Sequence, residues 1–479
     1  PTSIKGTAIA FLTKIRLTDK AIAVPLIDVG WDARVTTDWM HPTQANVHVS
    51  LENRSKPPTK NWDETDEALF QVDLLSCIPN ELHSPLKLGR IEASYRYNKY
   101  LDYPATGFNG GVELVSAKDS EILQLKTTWS PRYTQPRIVP KTYPSVNPNI
   151  RALSQPDGLD GLLPLGAELD RWYEHLPGKV SLDEGLVVGD IEGLKREQGG
   201  FARDRLAWSK EILAIKAGLR ILDESRAEWL KAKSRGQLSN DKAKLYEAWM
   251  SMNETMANLM KEKMPDDSGA WRLFQIAFVV ANVPAMASRM KCFRHEYERE
   301  RDDTVTLLYF ATGGGKSEAF FGLLVLNLFF DRLRGKLTGV TAMLRYPLRL
   351  LTIQQAQRCS KVLAKAEQVR RKYEYPGDQF AIGFWVGSGG SPNNHRAAGM
   401  DFIPKVDEKP PTLLAEVELL ENSVNYELQN KAWNKIPSCP FCKSQTALRT
   451  FPALGGLLGH VCTNSKCETN RNGWAPLPF

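Results

Sequence analysis

Strict alternation of apolar and polar positions dominates the first 130 residues. Val47, Val49 and Leu51 alternate with polar neighbours, as do Phe70, Val72 and Leu74, then Ile91, Ala93, Tyr95 and Tyr97, then Leu123, Leu125, Thr127 and Trp129. A period of two, interrupted by Pro, Asn and Gly clusters, predicts half-buried strands and an antiparallel β-rich domain over 1–130. Closely spaced prolines from Pro131 to Pro164 lack amide donors and fix φ, so 131–165 is expected to be an extended connector. The period then becomes helical. Leu206, Ile212, Leu213, Ile215, Leu219 and Leu222 form one apolar stripe. Leu245, Trp249, Met252, Met256 and Met260 form another, on a helix expected from about Asn240 to Glu262. A breaker cluster, Met264 to Gly269, closes this helical domain, 166–265.

Beyond Trp271 helices alternate with short apolar runs. Helices are predicted over Trp271–Val283, from the glycine loop to Arg334, and over Leu351–Tyr373. Strands are predicted at Thr304–Phe310, Gly339–Leu344 and Gln379–Val386. Such alternation implies an α/β multidomain protein whose residues 266–435 build a parallel sheet of RecA type. A cysteine-bearing module, 436–479, follows.

The run Phe310-Ala311-Thr312-Gly313-Gly314-Gly315-Lys316-Ser317-Glu318 lies between the first of these strands and a long apolar helix. Strand, glycine loop, helix is the context of a phosphate-binding loop. Glycines let backbone N–H groups converge on an anion, and the new helix adds its positive end. Thr312, Gly313, Gly314, Gly315 and Glu318 would surround a nucleoside triphosphate. Lys316 would reach its β/γ-phosphates, and Ser317 would ligate Mg²⁺. The first glycine of the longest form of this motif is replaced by Phe310, leaving the shorter A-T-G-x-G-K-S version.

Three further elements suggest partners for that loop. Pro347 to Gln354 fit P-x-R-x-L-x-x-Q, where a turn after a strand presents donors and a cation to a polynucleotide phosphate. Arg349 and Thr352 are the expected backbone contacts, with Arg345 adding charge. Gly389 and Gly390 would let a nucleic-acid backbone approach closely. Upstream, Gln275 in Arg272-Leu273-Phe274-Gln275 offers a donor and an acceptor to adenine. Arg96, Lys99, Lys126 and Arg132 of the β-rich segment are more ordinary surface charges.

Of seven cysteines, Cys77, Cys292 and Cys359 stand alone. Cys439-x₂-Cys442 and Cys462-x₄-Cys467 form two close pairs, which predicts a structural Zn²⁺ site in a zinc-ribbon-like fold, with His460 as the one substitute ligand. The chain is 42% hydrophobic and 24% charged, as expected of a globular protein, and its net charge of +7 agrees with a nucleic-acid partner without requiring one. No apolar run reaches membrane-spanning length and no signal peptide is visible, so no membrane role and a cytoplasmic location are expected. The missing initiator Met and the abrupt end at Phe479 suggest a piece of a longer polypeptide.

The order of these blocks resembles the DUF1998-associated bacterial helicases of superfamily 2, particularly those of DISARM antiphage defence. The likeness rests on Trp271-Arg272-x-Phe274-Gln275, the Ala311 to Ala319 loop, Arg345-Tyr346-x-x-Arg349-Leu350-Leu351-Thr352-x-Gln354-Gln355, Gly383 to Gly387 and the four cysteines. It covers roughly 200–479, and the β-rich segment has no match in it. The resemblance implies an ATP-dependent DNA helicase or translocase, a DUF1998 partner protein, and a substrate of single-stranded DNA or duplex with a single-stranded end. Such an enzyme also needs a strand ending in Asp-Glu. Asp407-Glu408, flanked by lysines and prolines, is a poor candidate, so that strand and a second RecA domain are expected elsewhere in a longer protein. Two other readings use the same residues: a nucleotide-gated DNA-binding scaffold that never unwinds, and a small-molecule phosphotransferase.

Overall fold

A computed structural model describes residues 22–26, 31–41, 44–53, 74–88, 101–108, 110–116, 120–129, 141–176, 191–308, 313–345, 349–383, 392, 399–406, 422–470 and 477. The chain divides into two compact units: residues 1–137 with 176–207, and residues 138–175 with 208–479.

The first unit is β-rich, as the alternation predicts. Strands β1 (Ile22–Leu26), β2 (Trp31–His41) and β3 (Gln44–Asn53) form an antiparallel meander, with Ile22 opposite Val35 and Val35 opposite Val49. β4 (Leu75–Pro79), β5 (Leu86–Leu88), β6 (Leu101–Tyr103), β7 (Gly111–Leu114) and β8 (Ile122–Thr128) follow. β8 pairs antiparallel with both β4 and β7, and β5 pairs with β6. Leu123 and Leu125 of β8 are buried while Ile122 and Gln124 face outward, the half-buried pattern that a two-residue period encodes. The expected strand residues 70–72 and 91–97, and Arg96, Lys99 and Arg132, lie outside the described residues.

The second unit is helical and holds the main core. Residues 141–165 do not form the extended connector that their prolines suggest. α1 (Ile150–Leu153) is capped by Asn149, whose Oδ1 accepts from the Ala152 N–H at 2.8 Å. Val146, Ile150, Leu153, Leu159, Leu162 and Leu165 are buried in the main cluster. The reason is compositional: leucines and isoleucines fill the gaps between prolines, and one-turn helices need few amide donors. Backbone bonds from Ile150 N to Gly269 O and from Trp271 N to Pro148 O pin this stretch to the start of the loop-bearing half.

Five helices frame that core after α2 (Leu165–Glu174). They are α3 (Ile191–Ser234), which belongs to this unit from Trp208 onward, α4 (Lys244–Met260), α5 (Leu273–Ala281), α6 (Val283–Ala287) and, past a short α7 (Arg299–Asp302), α8 (Lys316–Leu333). On α3, Ile212, Ile215, Leu219 and Leu222 are buried as expected, but Leu206 and Leu213 are exposed, so the apolar stripe is narrower than its composition suggests. On α4, Leu245, Trp249, Met252 and Met256 are buried, consistent with methionine as packing material. α8 contributes Phe321, Val325, Leu326, Phe329 and Phe330. α9 (Arg349–Lys372) adds Cys359, Val362, Leu363, Ala366 and Val369. α10 (Val424–Trp433) and the hairpin of β9 (Thr446–Phe451) and β10 (Leu457–Cys462) complete the unit.

The parallel sheet is not found among the described residues. Each described sheet is antiparallel, and residues 304–308, 339–344 and 379–383 lie outside any strand. Val305, Leu307, Val340 and Met343 are exposed, whereas parallel strands persist only with both faces covered. The helices that would flank such a sheet pack instead against α4 and α5.

Glu367 of α9 is fully buried and ties the helix end to residue 380. It accepts from Arg370 Nε at 2.7 Å, Arg371 Nε at 2.9 Å and the Phe380 N–H at 3.1 Å. Burial alone would raise its pKa, but the bonds from Arg370, Phe380 and Arg371 outweigh that and hold it below the ordinary 4.5. A carboxyl depressed in the folded state contributes stability that is complete above about pH 4.5 and is lost as pH falls below it. Glu367→Gln is expected to cost about 3 kcal/mol at neutral pH and to flatten the acid limb of the stability curve. Denaturant melts at pH 7 and pH 4 check this, and an unchanged slope with pH in the variant would contradict it.

Candidate functional site

The glycine loop sits where α8 begins. Gly313 and Gly315 both adopt left-handed φ, +76° and +83°, and Gly315 is the N-cap residue of α8. Lys316, Ser317 and Glu318 therefore occupy the first three helical positions, whose N–H groups lack intrahelical acceptors. Thr312 and the two residues before it lie outside the described residues.

What positions the loop is a pair of side chains from α5. Arg272 Nη1 donates to the Gly314 carbonyl at 2.5 Å, and Gln275 Nε2 donates to the Gly315 carbonyl at 2.7 Å. Gln275 Oε1 in turn accepts from the Arg272 N–H at 2.8 Å, so the same amide caps its own helix. In a planar trans peptide the N–H points opposite to the C=O. Holding the Gly314 and Gly315 carbonyls toward α5 thus turns the Gly315 and Lys316 N–H groups away from it. Both N–H groups therefore point to the face of the loop opposite α5.

The latch is itself anchored. Trp271 is buried, its Nε1 donates to Asn253 Oδ1 at 2.8 Å, and its ring sits so close to α8 that a Cβ at Gly322 would come within 2.7 Å of it. Sequence reasoning singled out Gln275 for adenine. Here both ends of its amide are engaged by backbone, and the side chain is buried. Arg272 was missed as a loop contact. The signal in the sequence, Gln275 three residues after the helix N-cap, points to the capping amide and not to the guanidinium.

Glu318 leans back toward the loop: a Cβ built on Gly315 would lie 3.3 Å from its Oε2. Its other oxygen, Oε1, accepts from Arg358 Nη2 of α9. The expected polynucleotide contacts are placed less completely. Arg349 and Thr352 fall in the first turn of α9, but their side chains lie outside the described residues. Arg345 is exposed just before that turn. Gly389, Gly390, Asp407 and Glu408 lie outside the described residues.

The four clustered cysteines do meet. Sγ atoms of Cys439 and Cys467 are 3.8 Å apart, those of Cys442 and Cys462 are 3.4 Å apart, and all four lie within 4.8 Å of one another. Disulfides would need about 2.05 Å. A tetrahedron with Zn–S bonds of about 2.3 Å has edges near 3.8 Å, so the thiols could hold Zn²⁺ with no position open to substrate. The first pair sits on a knuckle closed by Lys443 N to Cys439 O at 2.8 Å and Cys439 N to Ser444 O at 2.7 Å, with Lys443 in the left-handed region. The second pair comes from the end of β10 and the turn after it. Burial pushes the Cys439 thiol up to about 11 and raises Cys462 too. Burial opposes ionisation at Cys442 as well, but hydrogen bonds from Ser444 and the neighbouring thiols bring it down to about 6. His460 is no substitute ligand, because its Nε2 accepts from the Lys435 N–H at 3.3 Å.

No family model matches the chain. Over 265 residues, 52% of its length, it is 28% identical to the DISARM protein DrmA of Bacillus paralicheniformis. The chain is a distant homologue of that DrmA. The matched part covers 21% of the DrmA sequence, so the chain spans about a fifth of that relative. Among the described residues no helix is long and apolar enough to cross a membrane.

Proposed function

We propose that this chain is part of an ATP-dependent DNA helicase or translocase working in bacterial antiphage defence, as its kinship to DrmA suggests. The observation that carries the reading is the Arg272–Gln275 latch. It holds two carbonyls of a glycine loop so that successive N–H groups at a helix start turn to one side, an arrangement that supports the reading of a triphosphate site. ATP would lie with its phosphates on the amides of Gly313 to Ser317, and Lys316 would neutralise them. Ser317 would hold Mg²⁺, which supplies charge neutralisation between the phosphates. Thr312 and Glu318 would complete that wall of the site, with Gln275 fixing the loop from behind.

DNA would follow the turn leading into α9, gripped through phosphates by Arg345, Arg349 and Thr352, with Gly389 and Gly390 beyond. The RecA-like sheet would form from the exposed segments 304–308 and 339–344 together with the rest of a longer protein. The four thiols would carry a structural Zn²⁺. By the same kinship a DUF1998 protein, DrmB, would be the partner, and the assembly would work in the cytoplasm.

The test is ATP turnover and strand displacement by the full-length protein on duplex DNA with a single-stranded end. Turnover is expected to rise on adding that DNA, and a free strand to appear. ATP and DNA binding without displaced strand would favour a nucleotide-gated scaffold. Turnover indifferent to DNA would point to a phosphotransferase.

A further inference from the structure

The pairing of Glu318 with Arg358 connects the two halves of the proposed motor site. Glu318 is the third residue of α8, directly after Lys316 and Ser317. Arg358 lies nine residues into α9, about 14 Å along the axis from the turn that opens with Arg349. Its guanidinium donates from Nη2 to Glu318 Oε1 and from Nη1 to Gln355 Oε1 at 3.3 Å, and stacks 5.6 Å above the centroid of Phe321. Phe321 is itself buried on α8, so Arg358 touches that helix at two adjacent turns. The far oxygen of Glu318 lies beside Gly315, within the loop.

Between Arg349 and Arg358 no break interrupts α9, and residues 356, 359 and 360 are buried in the core. A displacement at the leading turn therefore travels along a stiff rod to the guanidinium. Stability is not what this contact supplies. Its side chains are 42% and 30% exposed, and half-exposed ion pairs contribute little. Among the described residues no other ion pair joins the helix after the phosphate loop to the helix after the proposed DNA turn.

We propose that Arg358 is a positioning residue that couples DNA engagement at the head of α9 to the geometry of the triphosphate loop, acting through Glu318. The inference rests on the motor reading given above. Coupling between two sites is reciprocal, and typical values correspond to 5- to 150-fold effects. The experiment compares wild type, Arg358→Gln and Arg358→Lys in the full-length protein. It measures ATP turnover with and without single-stranded DNA, and the affinity for a non-hydrolysable ATP analogue under both conditions.

Basal turnover of Arg358→Gln is expected to match wild type. Its stimulation by DNA is expected to drop at least about fivefold, with the DNA-induced change in analogue affinity lost in parallel. Arg358→Lys, which keeps the charge, is expected to restore part of both. Equal stimulation in wild type and Arg358→Gln overturns the coupling while leaving the motor reading standing. A wild-type protein whose turnover ignores DNA defeats the motor reading itself, and the coupling with it.

Discussion

Replacing Lys316 by Ala is expected to lower ATP hydrolysis by the full-length protein at least about a hundredfold while leaving its unfolding midpoint unchanged. The two halves of that expectation have separate causes. Lys316 is the first helical residue after a left-handed Gly315, half-buried at the mouth of the loop rather than in the core. Alanine keeps the helix start and removes the side chain beyond Cβ, the ammonium with it. Backbone amides would still receive the phosphates, because Arg272 and Gln275 hold the loop from the opposite side. The compact charge that meets the β/γ-phosphates as charge migrates would be gone, and no neighbouring lysine in the loop can replace it. Turnover assays with matched thermal melts check the prediction. Retained hydrolysis in a folded variant would remove the loop from the chemistry.

Stripping metal from the cysteine centre is expected to loosen much more than a surface module. The sequence suggests a separate insert over 436–479. In the structure Cys439, Cys462 and Cys467, with Ile436 and Leu477, belong to the same hydrophobic cluster as α4, α8 and α9. Polar ties reinforce the join. Glu262 bridges Lys443 of the knuckle at 3.3 Å and Lys365 of α9 at 3.5 Å, Gln368 donates to Glu468 at 2.9 Å, and Gln357 donates to the Lys435 carbonyl at 3.4 Å.

Four thiols facing one point, three buried and that of Cys442 half-buried, are costly without a cation, and metal affinity becomes folding energy where the ligands are otherwise unorganised. Cys439→Ser, or a strong chelator, is expected to lower the thermal midpoint of the second unit by at least about 10 °C. One zinc per chain should be found in the untreated protein. Calorimetry with metal analysis decides it, and a midpoint insensitive to both treatments would show that the thiols pack without an ion.

How much of this was legible in the sequence differs by element. The period-two strand β8, and the helices after the loop and after Arg349, are legible because one face of each is buried and the pattern records it, whereas β3 alternates although its Val47 and Val49 are exposed. The cysteine centre was readable because thiol pairs on tight turns have few other uses. Proline misled over 141–165, where leucines between the prolines dominate and pull short helices into the core. The parallel sheet was read from apolar runs at 304–310 and 339–344. Those runs are equally apolar whether covered or bare, and periodicity does not register what lies above them. Arg272 and Arg358 went unnoticed for a different reason. Their roles depend on which carbonyl or carboxylate the fold brings opposite, and spacing along the chain does not encode that.

The merging of the thiol knuckle with the helical interior has a consequence for the cell. With Zn²⁺ as the ion held by these thiols, a cell short of zinc would accumulate this polypeptide in an unfinished state exposed to proteases. Under the proposed defence role, readiness against infection would then follow trace-element supply as well as gene expression.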